Sequence, residues 1–297
     1  MHRFTLLALL FLLTACALTP PKPLRISANL WIGYTPLFYI KERGWLKGEN
    51  IELVNVVSLY ENMQMYAVGN ADAFTGTQYE YHVQHQAHPS LSPVLLLDLS
   101  KGGDMVMGNI DLQTLRKTER PIDVWLEVDS VNQELFKAFV EKEGLGNKKF
   151  RFHNLDPESI SKLPFKKSPT LLVTYKPYDD PLRSRGYREL VNTADPSLSF
   201  KVVDALYADA EDLQNFDKEF KVLNRLVARA LHDLHKDPKS FYRYVKNYLQ
   251  GEDYAHFLES LKTIEWIYGR RDKTFLEQLQ KLGLPTEALM EPVSDAL

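Results

Sequence analysis

Leu24-Arg25-Ile26-Ser27-Ala28-Asn29-Leu30-Trp31-Ile32-Gly33-Tyr34-Thr35-Pro36-Leu37-Phe38-Tyr39-Ile40-Lys41-Glu42-Arg43-Gly44-Trp45-Leu46 sets a strand, a turn and a helix in one short stretch. Leu24–Asn29 reads as the strand. Thr35 followed by Pro36 fits a helix N-cap with proline at the first helical position, where a missing N–H costs nothing. Gly44 fits the C-terminal stop. The same unit recurs outward along the chain. Ile51–Val57 reads as a second strand, and Ser58-Leu59-Tyr60-Glu61 has capping-box spacing that opens a helix ending near Gly69. Ala71–Thr75 reads as a third strand. Thr77-Gln78-Tyr79-Glu80 is another capping-box pattern, opening a helix to about Gln86. Val94–Leu97, an unbroken apolar run, reads as a strand buried on both faces.

The alternation restarts further on. Ile122–Val128, Lys149–Asn154 and Thr170–Thr174 read as strands, with helices opened by Ser130 and by Asp156-Pro157 between them. Val202–Tyr207 reads as a last strand. From Ala210 the pattern becomes helical: Asp212–Leu234, Pro238–Leu249, Asp253–Ile267 and Lys273–Leu282. Strand–helix alternation predicts an α/β fold with parallel sheets built from βαβ units. Two such blocks, separated around Gly108–Pro121, predict two lobes.

The chain has 297 residues, 44% hydrophobic and 25% charged, enough for two lobes of about 100–150 residues each. A net charge of -3 provides no basic field for nucleic acid. The one cysteine, Cys16, excludes an internal disulfide framework. It follows a short basic start (His2, Arg3) and the apolar run Phe4–Leu13, too short to span a bilayer as a helix but suited to a signal peptide. Leu13-Thr14-Ala15-Cys16 resembles the lipobox of bacterial lipoproteins, in which the peptide is cut before the cysteine and the cysteine is acylated. Residues 1–15 are therefore expected to be a lipoprotein signal peptide, and 16–23, with Pro20, Pro21 and Pro23, a tether. The expected location is the periplasmic side of a bacterial membrane. Ala17, rather than aspartate, after the cysteine favours the outer membrane.

Trp31–Leu46 resembles the opening of nitrate/sulfonate/taurine-type solute-binding proteins of ABC importers. Gly69-Asn70-Ala71-Asp72-Ala73 is similar to their G-x-x-D-A element. Val94–Gly108 and Val173-Thr174-Tyr175-Lys176-Pro177 are similar to a lipoprotein subgroup with V-L-x-D-x-S-x-G-x-D and V-T-Y-x-P. The resemblance is scattered over roughly residues 24–210. It implies a two-lobe type II periplasmic-binding-protein fold, joined by two hinge strands, with the C-terminal helical segment returning to lobe 1. Lobe 1 is expected over 24–112 and 202–297, and lobe 2 over 113–201. The chain departs from the subgroup where Lys176 replaces an expected acidic residue, and near Tyr79.

In open α/β sheets, ligands lie beyond the carboxyl ends of the strands, against the loops and helix N-termini that follow. That rule selects Trp31, Tyr34, Thr35, Thr77, Gln78, Asp98, Asp104, Ser130 and Tyr175 as ligand-binding residues, with Asp129 and Tyr178 nearby. Thr77 and Ser130 also serve as helix caps, Glu80 reads as a structural capping-box residue, and Asp72 as a turn residue. Helix N-termini at Thr35, Thr77 and Ser130 suit an anion. Asp98, Asp104 and Asp129 with Trp31, Tyr34 and Tyr175 suit a cation, through charge and ring faces. Three nearby carboxylates favour an amine-containing solute.

His82, His85 and His88 are spaced i, i+3, i+6, and on a helix the first two could share a metal, but Pro89 ends the helix and no flanking carboxylate completes the set, so solvated histidines are expected. No G-x-S-x-G elbow, Walker loop or zinc-deaminase pattern is present. A pyrimidine-synthase-like enzyme of the implied fold relies on a Cys-rich segment, which this chain lacks. The expectation is a monomer, not an enzyme, without metal or cofactor, that captures a small polar organic solute for an ABC permease. The alternative is a subunit whose closed form signals to a membrane sensor kinase or diguanylate cyclase.

Overall fold

β1 (Leu24–Asn29) alternates apolar residues with Arg25, Ser27 and Asn29 and is buried almost throughout, and it pairs in parallel with β2 (Ile51–Val56). Between them a 3-10 turn at Ile32–Tyr34 runs into α1 (Thr35–Glu42). The computed structural model describes residues 22–293. Cys16, its preceding segment and most of the expected tether lie outside that range.

α2 (Leu59–Ala67) is capped by Ser58, whose hydroxyl accepts the Glu61 N–H at 3.2 Å. β3 (Ala73–Thr77) takes the other side of β1, and α3 (Gln78–His85) follows through the expected capping box. β4 (Ser92–Ser100) ends the first pass. The chain then crosses to a second sheet through Lys101–Gly103. That sheet is built from β5 (Asp104–Gly108), β6 (Ile122–Leu126), β7 (Phe150–Asn154), β8 (Thr170–Tyr175) and β9 (Arg188–Asn192), in the order β7-β6-β8-β5-β9. Its helices are α4 (Leu112–Lys117), α5 (Val131–Lys142), α6 (Pro157–Ser161) and α7 (Asp180–Ser184).

Residues 193–202 carry the chain back to β10 (Val203–Ala208), which inserts antiparallel between β3 and β4. α8 (Ala210–Asn215), α9 (Asp217–Lys236), α10 (Pro238–Val245), α11 (Tyr254–Leu261), β11 (Ile264–Trp266) and α12 (Lys273–Lys281) complete the described chain. The first sheet has the order β11-β4-β10-β3-β1-β2. α9 buries Phe220, Leu223, Val227, Leu231 and Leu234, a three- and four-residue spacing that makes one apolar stripe. That stripe joins α1 and β1 in one core cluster, while further apolar clusters cover the opposite face of this sheet and both faces of the second.

The sheets are mixed rather than parallel. β10 runs against β3 and β4, β11 against β4, and β5 against β8 and β9. The expected boundary after residue 112 is corrected: β5 already belongs to the second sheet, so the chain has crossed by Asp104. β5 is a short run beside Gly102 and Gly103 that reads locally as a loop, and only pairing with β8 and β9 makes it a strand. β9 and β11 were likewise not legible, and β11 interrupts the helix expected over Asp253–Ile267. The helix expected from Asp212 breaks at Phe216, where α8 ends.

The two crossings run side by side. Ser100 Oγ and Thr193 Oγ1 are 2.7 Å apart, the Gly102 N–H donates to Thr193 Oγ1 at 2.8 Å, and the Ser100 N–H donates to the Val202 carbonyl at 3.0 Å. Gly102 has φ 116, a conformation that glycine alone adopts without strain. Among the described residues no helix is long and apolar enough to cross a membrane.

Candidate functional site

Trp31 leaves the end of β1 just before the 3-10 turn, and two glycines make room for its indole. A Cβ on Gly103 would collide with the ring, and one on Gly33 would collide with Asp98 Oδ2 and Trp31 Nε1. The indole N–H is shared by the two oxygens of Asp98, at 3.1 and 3.2 Å. The ring meets Tyr175 of the second sheet edge-on, with centroids 5.8 Å apart. Asn29, the last residue of β1, donates from Nδ2 to the Tyr175 hydroxyl at 3.2 Å.

β4, β10 and β3 lie side by side, and their register sets Asp204 between Asp98 and Thr77. Tyr34 donates its hydroxyl to Asp204 at 2.5 Å. In the second sheet Asp104 is the register partner of Tyr175. A tight cavity of about 10 Å³, with room for about one water molecule, lies where these groups converge. Its walls are Asn29, Trp31, Tyr34, Leu59, Thr77, Val202 and Asp204 from the first lobe and its connector, and Asp104 and Tyr175 from the second.

The walls hold two carboxylates and no lysine, arginine or histidine. Asp98, Asp104, Asp204 and Glu80 are all buried, and none makes an ion pair among the described residues. Burial pushes the Asp104 carboxyl up to about 7. Burial, then the nearby Asp104, holds Asp98 well above the usual carboxylate range. Burial, with Asp98 and Asp104 beside it, does the same to Asp204. Low-dielectric surroundings and like charges both disfavour the ionised form. Asp104 Oδ2, Asp204 Oδ2 and Asn29 Oδ1 are buried acceptors with no hydrogen-bond donor.

Glu80 ties the lobes together. It accepts the Thr77 N–H at 2.9 Å and the Thr77 hydroxyl at 2.5 Å, which closes the capping box of α3. Its other oxygen accepts the Val131 N–H at 2.9 Å, the first residue of α5 in the second lobe. A single carboxylate thus closes the cap of α3 and accepts the first N–H of α5, a helix of the other lobe. A second groove, lined by Ser58 and Tyr60 on one side and Glu127, Asp129, Asn154 and Asp156 on the other, opens between the lobes next to Leu59. Burial pushes Glu127 up to about 7, and its Oε2 has no partner.

No protein-family model matches the sequence, and no curated protein matches it significantly. Solved structures match its fold. The ligand-binding component of an ABC-type import system from Staphylococcus aureus, solved with zinc bound, superposes with a TM-score of 0.69 at 13% identity, covering 91% of this chain and 97% of that one. The periplasmic aliphatic sulphonate-binding protein SsuA of Escherichia coli gives 0.65 at 13% identity, covering 89% and 86%. A Candida albicans protein described as having the generic periplasmic binding protein structural fold gives 0.65 at 12% identity, covering 89% and 90%. The chain has the periplasmic-binding-protein fold.

Within this periplasmic-binding-protein fold, Trp31, Tyr34, Thr77, Asp104 and Tyr175 line the cavity, and Asp98 lies behind Trp31 as its hydrogen-bond partner. Besides Asp98, three more residues selected from the sequence do not line it. Thr35 is the first helical residue rather than the cap, and its hydroxyl donates to the Ile32 carbonyl at 2.7 Å. Gln78 spends both ends of its amide on the returning connector, at the Lys201 carbonyl and the Val203 N–H. Ser130 donates to the Glu127 carbonyl and caps α5. Asp129 is exposed in the second groove, with φ 53. Tyr178 packs against Tyr175, with centroids 5.4 Å apart.

Asn29, Asp204 and the cross-lobe role of Glu80 escaped the sequence reading. Asp204 carried a signal: it is the lone charge inside Val203–Ala208, an otherwise apolar strand. Asp72 does more than shape a turn, since it accepts the Arg25 N–H at 2.9 Å and pairs with Lys22 at 2.5 Å, fixing the start of β1. His82 contacts the Leu282 carbonyl, His85 the Tyr81 hydroxyl, and His88 packs on Tyr66. Asp179, Asp180 and Glu252 come close enough together to share an ion. Lys176 Nζ already lies 3.1 Å from Asp179 and 3.5 Å from Asp180, and supplies the positive charge there.

Proposed function

We propose that this chain is an extracytoplasmic solute-binding protein, anchored to a membrane through acylation of Cys16, that captures a small polar organic solute between its lobes for an ABC importer. The observation that carries this reading is one cavity walled by both sheets, in which Asp104 and Tyr175 from the second lobe face Asn29, Trp31, Tyr34 and Asp204 from the first. A wall divided between two bodies is completed only when they come together. The adjacent crossings at Ser100 and Thr193 provide the place about which they can turn. A bound solute then favours closure by bridging both halves, and the closed outline is what a permease would recognise. The similar structures, a ligand-binding component of an ABC-type import system and a periplasmic sulphonate-binding protein, support the same reading.

The experiment is a thermal-shift screen over amines, amino acids, sulfonates and pyrimidines on the mature protein. A solute at about 100 times its Kd adds about 2.7 kcal/mol of stability, an easily read rise in Tm. The rise is expected to vanish in Trp31→Ala and to be accompanied by a smaller radius of gyration in solution scattering. A solute that stabilises wild type and Trp31→Ala equally places binding elsewhere and removes the proposal.

A further inference from the structure

We propose that the cleft is built for a small organic cation, an ammonium or amidinium group seated at Asp104 and Asp204 among the rings of Trp31, Tyr34 and Tyr175. This rests on reading the cavity as the solute site, and adds the charge of the solute. Three independent observations point the same way. The unpartnered atoms of the cavity walls are Asp104 Oδ2, Asp204 Oδ2 and Asn29 Oδ1; with the acids ionised all three are acceptors, and the complementary guest is a positively charged hydrogen-bond donor. Nothing on the walls is positively charged, so a guest anion would meet two carboxylates and no cation. Two of the three helix N-termini that could hold an anion here are already engaged by Glu80, which takes the Thr77 N–H ahead of α3 and the Val131 N–H of α5; only the start of α1 at Thr35 lacks a side-chain cap.

The aromatic walls add to the selection. A cation beside Trp and Tyr rings gains from their electron-rich faces, most when both are shielded from water. The flanking groove, with Glu127, Asp129 and Asp156 and no basic residue, extends the negative field to the approach between the lobes. The carboxylates also lack the role that would make them structural. Asp104 and Asp204 each leave one oxygen unpaired, and a buried acceptor without a donor costs stability instead of supplying it. Groups that weaken the fold yet converge on one cavity are the signature of a binding site.

Two variants, Asp104→Asn and Asp204→Asn, test this without knowledge of the natural solute. With no added solute each is expected to melt above wild type, because the amide removes the demand for a counter-charge. A lower Tm in both makes the carboxylates structural and overturns the inference. The binding arm compares ethylammonium and guanidinium with propionate and methanesulfonate of similar size. The cations are expected to raise the Tm of wild type, with apparent affinity at least about tenfold weaker in either variant, while the anions leave it unchanged. Stabilisation by an anion that Trp31→Ala abolishes would overturn the cation assignment and leave solute capture in the cleft standing. Cation stabilisation that survives in Trp31→Ala and in both Asn variants would overturn both.

Discussion

At the scale of single residues the cleft depends on a glycine. Gly33 lies where any side chain would occupy the space of Asp98 Oδ2 and Trp31 Nε1, so the residue that does nothing chemically allows the indole–carboxylate pair to form. Gly33→Ala is expected to cost about 1–3 kcal/mol through overpacking, read as a fall in Tm. Removing the obstacle should relieve it: the cost of Gly33→Ala in an Asp98→Ala background is expected to be smaller, and strict additivity would mean that the two sites do not touch. The identity of Trp31 and Tyr34 as cleft residues could be read from their place just beyond a strand. Asp204 was less open to reading, because an aspartate in a strand reveals its importance only once its neighbours are known to be Asp98 and Thr77.

At the scale of elements, the capping boxes show how a local pattern acquires a distant role. Ser58 with Glu61 and Thr77 with Glu80 have the same spacing, and both start helices as expected. Only Glu80 reaches further, to α5 in the other lobe. Glu80→Ala is therefore expected to lose about 1 kcal/mol for the cap, with more for the unpaired Val131 N–H, and to enlarge the radius of gyration as the lobes part. Asp237→Ala serves as the comparison: its carboxylate caps α10 by accepting the Ser240 N–H at 2.9 Å within one lobe, so about 1 kcal/mol of stability is expected to go with no change in radius. Equal radii for the two variants would show that Glu80 does not hold the lobes together. Short strands were the elements least legible in the sequence. β5, β9 and β11 have three to five residues each, and their backbone groups find partners far along the chain instead of in a local repeat.

At the scale of the whole molecule the buried acids set the response to pH. Asp104, Glu127 and Glu252 are each raised to about 7, chiefly by burial. A carboxyl raised on folding contributes stability that is complete below its unfolded value near 4 and is lost as pH climbs through the folded value near 7. The protein without added solute is thus expected to melt higher at pH 5 than at pH 8, and Asp104→Asn should flatten that dependence. Calorimetric scans at pH 5, 6.5 and 8 check it, and a Tm that rises over this interval would show the acids to be ionised and compensated. The lowered groups Asp123, Glu143 and Asp195 act in the opposite sense, below pH about 4, outside this window.

The amino-acid sequence by itself determined what depends on near neighbours: the strand–helix alternation, the caps at Ser58, Thr77, Ser130 and Asp156, the apolar stripe of α9, and the aromatic residues that follow β1. These are settled within a few residues by hydrogen bonding and periodicity, so a linear reading finds them. Only the tertiary structure decided where the chain changes lobes, that β10 returns antiparallel between β3 and β4, and that Asp98, Asp104 and Asp204 are buried beside one another. Strand register joins residues about a hundred positions apart, and burial, not residue type, determines whether a carboxylate is an ordinary surface group or an acid that needs a partner.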